Sequence, residues 1–252
     1  MIDKDIEKNR YDDAAELLIK ANKFNQVVKT LKYINVPYEF YFEILNHKNK
    51  QSKLLEIGAG TGQNTASLID MSYNVCATDI SLKSVEFLKK RFYGYKNFSA
   101  QYADMEKLPF KDESFDIVCS TGTLSYGDNK LVMNEIYRVL KPEGMLVILD
   151  SLNNSPIYRF YRYLNYLRGL RTKNTLLRMP TISLINEYTQ KFRHVEVKYF
   201  GAITWIFPLL SKVLSEKLIT NFSNWIDVTF KIKRSAFKFV MKAVKKWMIL
   251  KK

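Results

Sequence analysis

Three alternate glycines, Gly58, Gly60 and Gly62, follow an apolar run that closes on Leu55-Glu56-Ile57. Glycines at such a turn permit positive φ and let the backbone come close to a ligand, and a helix starting just beyond them offers N–H groups that have no partner in the helix. The spacing is E-x-G-x-G-x-G, not the G-x-G-x-x-G of the dinucleotide turn. On its own the loop suits a bound nucleotide-like ligand or an incidental turn. Seventeen residues beyond Gly62, Asp79 ends the second apolar run and is followed by Ile80 and Ser81. A carboxylate there can accept two hydroxyl hydrogen bonds, and Asp79, like Ser81, can equally cap the helix that begins near Leu82. Asp104 and Met105 follow the third run at the corresponding place.

Candidates for acid–base work are fewer. The two histidines are His47, in a polar spacer, and His194, just ahead of a predicted strand. The segment after the fourth apolar run reads Ser120-Thr121-Gly122-Thr123-Leu124-Ser125-Tyr126-Gly127-Asp128, where Tyr126 and Asp128 serve either as helix-capping and packing groups or in catalysis. Cys119 falls inside a strand predicted to be buried, which argues against a cysteine nucleophile. The catalytic candidates are therefore Tyr126, Asp128 and His194.

These residues need elements to hold them. Short apolar runs at 53–57, 74–78, 98–103, 115–120 and 145–150 alternate with stretches of helical period at 64–71, 82–92 and 131–140. That alternation predicts a doubly wound α/β domain, a mainly parallel sheet with helices on both faces. Ahead of it, residues 12–34 carry Leu17, Leu18, Phe24, Val27, Val28 and Leu31 at helical spacing, Pro37 is expected to end that helix, and 38–45 is a second one. Beyond it, 157–170 and 181–192 read as helices, and 195–200 and 235–246 as strands. In residues 157–170 the apolar face formed by Ile157, Phe160, Tyr161, Leu164 and Leu167 is expected to pack inward, with Arg159, Arg162 and Tyr166 toward the other side. The chain divides into an N-terminal helical cap (1–50), a Rossmann-like core (51–152) and a basic region (153–252) that holds the last two strands.

Motifs in this order resemble those of class I S-adenosylmethionine-dependent methyltransferases, over residues 53–150. The run Leu108-Pro109-Phe110-Lys111-Asp112-Glu113-Ser114-Phe115-Asp116-Ile117-Val118 is similar to the L-P-F-x-D-x-S-F-D-x-V of the branch that includes the quinone-biosynthesis methyltransferases. Residues 138–148 resemble its helix–turn–strand element, in which Pro142 and Gly144 break the helix. The resemblance implies S-adenosylmethionine as cofactor, a sheet in the order 3-2-1-4-5-7-6 with an antiparallel seventh strand, and helical cap segments inserted after strands 5 and 6. It implies cofactor contacts from Tyr11, Glu56, Gly58, Gly60, Gly62, Asp79, Ile80, Asp104, Met105 and Ser120, with Asp79 on the ribose hydroxyls and Asp104-Met105 at the adenine. It also implies a single in-line displacement without a metal. Many relatives carry a His pair after the fourth strand, and this chain does not.

Charge bears on the acceptor. Of the net +15, residues 1–152 contribute −1 and residues 153–252 contribute +16, from twenty basic and four acidic residues. Such an element meets phosphate, lipid headgroups or an acidic substrate. Trp205, Trp225 and Trp247 among its lysines suit a peripheral membrane contact, and no RNA-binding module accompanies the charge. More loosely, this half resembles methyltransferases of bacterial surface-polysaccharide assembly, which implies a small-molecule, sugar-nucleotide or lipid-linked acceptor methylated on a sugar or glycan hydroxyl. An RNA methyltransferase and a non-catalytic cofactor-binding subunit are the alternatives.

At 252 residues and 47% hydrophobic positions the chain can bury a full core, which excludes disordered and disulfide-stapled classes. Cys76 and Cys119, each within an apolar run, suit free thiols in a reducing compartment. The longest uncharged stretch, 199–211, is 13 residues and contains Pro208, short of the roughly 18–20 that a spanning helix needs. The acidic N-terminus lacks the features of a signal peptide. A cytoplasmic chain, at most peripheral at the inner face of the membrane, is expected.

Overall fold

The computed structural model describes residues 2–24, 32–46, 51–71 and 73–246; Val27, Val28, Leu31, His47 and Trp247 lie outside them. Two helices, α1 (Ile2–Lys20) and α2 (Lys32–Asn46), precede the alternating core of β1 (Lys53–Ile57), α3 (Gln63–Asp70), β2 (Asn74–Asp79), α4 (Leu82–Arg91), β3 (Phe98–Tyr102), β4 (Phe115–Thr121), α5 (Asn129–Val139) and β5 (Leu140–Ser151). Then come α6 (Pro156–Leu167), α7 (Lys173–Leu177), α8 (Ile182–Thr189), β6 (Phe192–Phe200), α9 (Phe207–Leu210), α10 (Glu216–Phe230) and β7 (Lys238–Lys245). The seven strands form one sheet in the order β3-β2-β1-β4-β5-β7-β6. β1 to β5 are parallel, and β7 runs antiparallel to both β5 and β6.

Side chains alternate across the central strands and feed two cores. Leu55, Ile57, Val118, Leu146 and Ile148 pack toward α5 and α8, while Leu54, Ile117, Cys119, Val147 and Leu149 pack toward α2, α3 and α4. Each fully buried aliphatic residue contributes about 1.5–3 kcal/mol, so burial of both faces fixes the register that brings the strand ends level.

Three expectations fail outside the core. Pro37 lies inside α2 rather than ending a helix; near the start of a helix its missing N–H and ring disturb only the first turn behind it. α1 begins ten residues, nearly three turns, ahead of the predicted start, at Ile2, because Lys4, Glu7 and Arg10 find partners across the fold, described below. α6 is turned about: its buried residues are Tyr158 and Arg162, whereas Phe160, Tyr161 and Leu167 are more than half exposed. Arg162 is held inward because Nη1 donates to Leu152 O (2.7 Å) and to Asn153 Oδ1 (3.0 Å), which ties α6 to the end of β5.

Candidate functional site

At the carboxyl end of the parallel strands lies a cavity of about 380 Å³, within the range of small-molecule sites. Its floor is the glycine turn. Gly58 (φ +67°) and Gly60 (φ +55°) both have left-handed backbone. A Cβ on Gly58 would stand 2.2 Å from Thr123 Cγ2, whereas one on Gly60 would meet nothing within 4 Å and would project into open space. The turn is pinned by Ala59 N–H donating to Thr78 O (3.0 Å) and by Gly60 N–H donating to Asp79 Oδ2 (2.8 Å). Asp79 Oδ1 accepts from Ser81 N–H (2.8 Å). Burial raises the Asp79 pKa, and these two backbone donors work against that rise.

The roof is α1. Lys4 Nζ contacts Asp104 Oδ2 (2.5 Å) and Glu106 Oε2 (2.9 Å), and Asp12 Oδ1 accepts from Ser81 Oγ (2.7 Å) and Lys83 N–H (3.0 Å). Glu7 Oε1 accepts from Thr175 Oγ1 (3.1 Å) on α7, and its Oε2 is ion-paired with Arg10 (2.8 Å). Tyr11 Oη donates to Tyr126 Oη (2.9 Å), the rings meeting edge to face at 5.6 Å. Burial and the neighbouring Tyr126 hold the Tyr11 phenol far above its ordinary pKa, so it stays a donor. Tyr126 closes a 3₁₀ turn, Leu124–Tyr126, whose Leu124 N–H donates to the buried Asp150 Oδ2 (3.0 Å). Asp150 thus does at the end of β5 what Asp79 does at the end of β2.

Of the residues named from sequence, the cavity brings together Tyr11, Gly58, Gly60, Asp79, Ile80, Asp104, Met105 and Tyr126. Five others lie elsewhere. Glu56 is buried beneath the turn and accepts from Thr65 Oγ1 (2.5 Å), a brace between β1 and α3; burial raises its pKa to about 7 against the opposing pull of the Thr65 bond. Gly62 is the N-cap of α3, where a Cβ would come within 2.6 Å of Leu88 Cδ2 and 2.7 Å of Phe92 Cε2, so it serves packing against α4. Ser120 is buried and bonds to Thr123 Oγ1. Asp128 is the N-cap of α5, accepting from Lys130 N–H (3.0 Å) and Leu131 N–H (3.1 Å). His194 is exposed, with φ +46°, in the register shift between Arg193 and Glu196 near the amino end of the edge strand β6. That is the end of the sheet away from the cavity, so it is no catalytic group of this site.

Sequence reasoning missed Lys4, Glu7, Asn64, Thr121, Thr123 and Asp150. Asn64 Nδ2 donates to Thr121 Oγ1 (2.6 Å), both at the cavity wall. The available signals were the charge pattern of residues 3–10, which makes a helix with several acids and bases on it, and an aspartate ending β5 just as one ends β2.

Open space over Gly60, a carboxylate at the end of β2, apolar walls at Ile80, Ala103 and Met105 and a polar wall at Asn64 and Thr121 fit S-adenosylmethionine, which has a charged amino-acid end, a ribose and a flat base. Fold and site together resemble the cofactor-binding core of class I S-adenosylmethionine-dependent methyltransferases. Residues 55–148 match the family described as "Methyltransferase domain". An uncharacterized methyltransferase YodH of Bacillus subtilis is 38% identical over 105 residues, covering 41% of this chain and 45% of that protein. The ubiquinone/menaquinone biosynthesis C-methyltransferase UbiE of Wigglesworthia glossinidia brevipalpis is 26% identical over 246 residues, covering 88% and 94%. The chain spans less than half the length of the first curated relatives it matches. Among solved structures, Haemonchus contortus phosphoethanolamine N-methyltransferase 2 in complex with S-adenosyl-L-methionine shares the fold, with a TM-score of 0.59 at 20% identity over 83% of this chain and 53% of that one. Residues 55–148 are thus a methyltransferase domain, and its cofactor is S-adenosylmethionine.

Proposed function

We propose that the whole chain transfers a methyl group to a lipid-soluble or lipid-linked acceptor that is nucleophilic without help, a quinol-type ring before a sugar hydroxyl. The observation that carries this reading is that, among the described residues, every carboxylate lining the cavity is already engaged. Asp79 is held by the turn, Asp104 by Lys4, and Glu7 by Thr175 and Arg10. Among the described residues, no histidine lines it. A sugar hydroxyl needs its proton removed as it attacks, whereas a ring carbon draws its nucleophilicity from an adjacent ionised oxygen. Relatives named as ubiquinone/menaquinone biosynthesis C-methyltransferases support the same choice.

S-adenosylmethionine supplies the methyl group on an already activated sulfonium, so alignment is most of what the protein has to add. Asp79 would hold the ribose, the turn at Gly58–Gly60 the amino-acid end, and Ile80, Ala103 and Met105 the base. α1 covers these groups and excludes water. With Tyr11 as donor to Tyr126, the Tyr126 proton is free to meet an oxygen of the acceptor, and the acceptor's displaced proton leaves to solvent.

Transfer of tritium from labelled cofactor tests the reading. Label is expected in a reduced prenylated naphthoquinone and in the lipid fraction of a cell extract. Label in sugar nucleotide or lipid-linked glycan would move the acceptor to the hydroxyl, label in RNA would make the basic half an RNA-binding element, and no label in any fraction would leave a non-catalytic partner subunit. Tyr126→Phe is expected to lower kcat about tenfold, the loss of one hydrogen bond, with S-adenosylhomocysteine affinity unchanged by calorimetry.

A further inference from the structure

Apolar surface on the last hundred residues serves neither the sheet nor the cavity. On α10, Leu218, Phe222 and Trp225 recur at helical spacing with exposures of 58%, 48% and 55%. Phe222 and Trp225 stack at 6.0 Å, and Phe230 meets Trp225 edge-on at 5.7 Å. On α6, Phe160 and Leu167 also face outward. One turn anchors both helices: Tyr158 of α6 donates to Gly201 O (3.1 Å), and Asp227 of α10 accepts from the N–H groups of Gly201 (2.6 Å) and Ala202 (3.0 Å). That turn follows Phe200, which pairs with Lys238 as Lys238 pairs with Ser151, so it lies at the end of the sheet where the cavity opens. The chain after α6 then rests on the cavity's roof, with Arg10 donating to Gly169 O (3.5 Å).

Around this surface Arg159, Arg168, Lys217, Lys231, Lys233 and Arg234 are exposed. With twenty basic and four acidic residues in the region, cations are in large excess there. Outward stacked aromatics bordered by lysine and arginine are what an interfacial surface presents to anionic lipid. A second copy of a region this positive would be repelled. RNA would use the cations and leave the aliphatic groups of α6 and α10 in water.

We infer that the outer face of α6 and α10 docks on an anionic lipid bilayer, with Phe222 and Trp225 in the interfacial layer and the surrounding basic residues on the headgroups. This goes beyond the methyl-transfer reading and does not depend on the acceptor's identity. The test is sedimentation of the full chain with vesicles of phosphatidylcholine alone and of phosphatidylcholine with phosphatidylglycerol. Binding is expected with phosphatidylglycerol, weakening as salt rises. The double variant Phe222→Ser/Trp225→Ser should lower partitioning at least about tenfold, while its calorimetric affinity for S-adenosylhomocysteine stays that of the wild type, which shows that it is folded. Four results would overturn the inference: no binding to phosphatidylglycerol vesicles; equal binding by the double variant; a solution dimer that the variant splits, without vesicle binding; or a salt-sensitive shift of structured RNA, without vesicle binding. Failure of the cofactor reading has a different signature, wild-type protein that docks on vesicles and binds no S-adenosylhomocysteine.

Discussion

Residues 51–152 and 153–252 contribute to one sheet, yet they distribute polarity in opposite ways. In the first, net −2, the acids are turned inward as braces: Glu56 on Thr65, Asp79 on the glycine turn, Asp150 on the 3₁₀ turn that carries Tyr126. In the second, net +16, a cation is buried at Arg162 while aromatic groups such as Phe160 and Trp225 are in water. Buried carboxylates that accept backbone N–H groups fix loops to sub-ångström tolerance, as a cofactor site demands. Exposed aromatics with mobile cations suit a surface that meets a soft partner.

The sharpest test of that contrast is Gly58→Ala. The new methyl group would stand 2.2 Å from Thr123 Cγ2 on a backbone with φ +67°, so the turn and the 120–123 segment must separate. Destabilisation of about 1–3 kcal/mol is expected, with S-adenosylhomocysteine binding lost in calorimetry. Vesicle docking by α6 and α10 should persist, and its loss would show that the two regions are not independent.

Asp79→Asn comes next. Both carboxylate oxygens accept from backbone N–H, of Gly60 and of Ser81, so the isosteric amide sets its own N–H₂ against one of them. A loss of about 10–100-fold in cofactor affinity is expected, from one charge-assisted bond, and unchanged affinity would remove Asp79 from the site.

The core was readable because both of its rules are local. Apolar runs of five or six residues with helical stretches between belong in a mainly parallel sheet with helices packed on it, and a glycine turn between strand and helix marks the ligand end of that sheet. Roles within the site were less readable, since Gly58, Gly60 and Gly62 look alike in sequence and differ only in what stands beside each Cα: Thr123, open space, and Leu88 with Phe92. In the basic region the rule that an apolar stripe faces inward failed on α6, where two hydrogen bonds to the end of β5 draw Arg162 in and turn Phe160 out. α10 went unread for the same reason: its inward face holds Ile219 and Ser223, while the aromatics that dominate its sequence lie outside.

Glu56→Gln separates the brace from its charge. The Glu56 pKa of about 7 lies above the roughly 4.3 of an unfolded chain. The folded state therefore binds the proton more tightly, and the wild type loses stability as pH rises from about 4.3 through 7. The glutamine keeps an acceptor for Thr65 and carries no charge to bury. Thermal melts of the two proteins should converge near pH 4 and diverge by pH 8, with the variant more stable by about 1–3 kcal/mol. A parallel pair of pH profiles would mean that Glu56 is ionised at low cost.

Arg162→Lys has the smallest expected effect, because two consequences oppose. The guanidinium makes two bonds, to Leu152 O and Asn153 Oδ1, and lies 5.8 Å from the Tyr158 and Phe237 ring centroids, but its Nη2 is buried without a partner among the described residues. Burial with Arg171 nearby lowers its pKa to about 10, so it remains charged at neutral pH. Lysine would keep the charge and one of the bonds, give up the second bond and part of the ring contact, and remove the orphaned N–H₂. Losing a bond to a charged group costs about 1.5–3 kcal/mol and relieving a buried unpaired donor returns about 1–3, so the net change in stability should fall within about 1 kcal/mol. Vesicle docking should then match the wild type, whereas Arg162→Met, which strands both acceptors, should loosen α6 and weaken it. If lysine and methionine behave alike, α6 is held by Tyr158 and its turn alone, and the buried cation has no part in presenting the aromatic face.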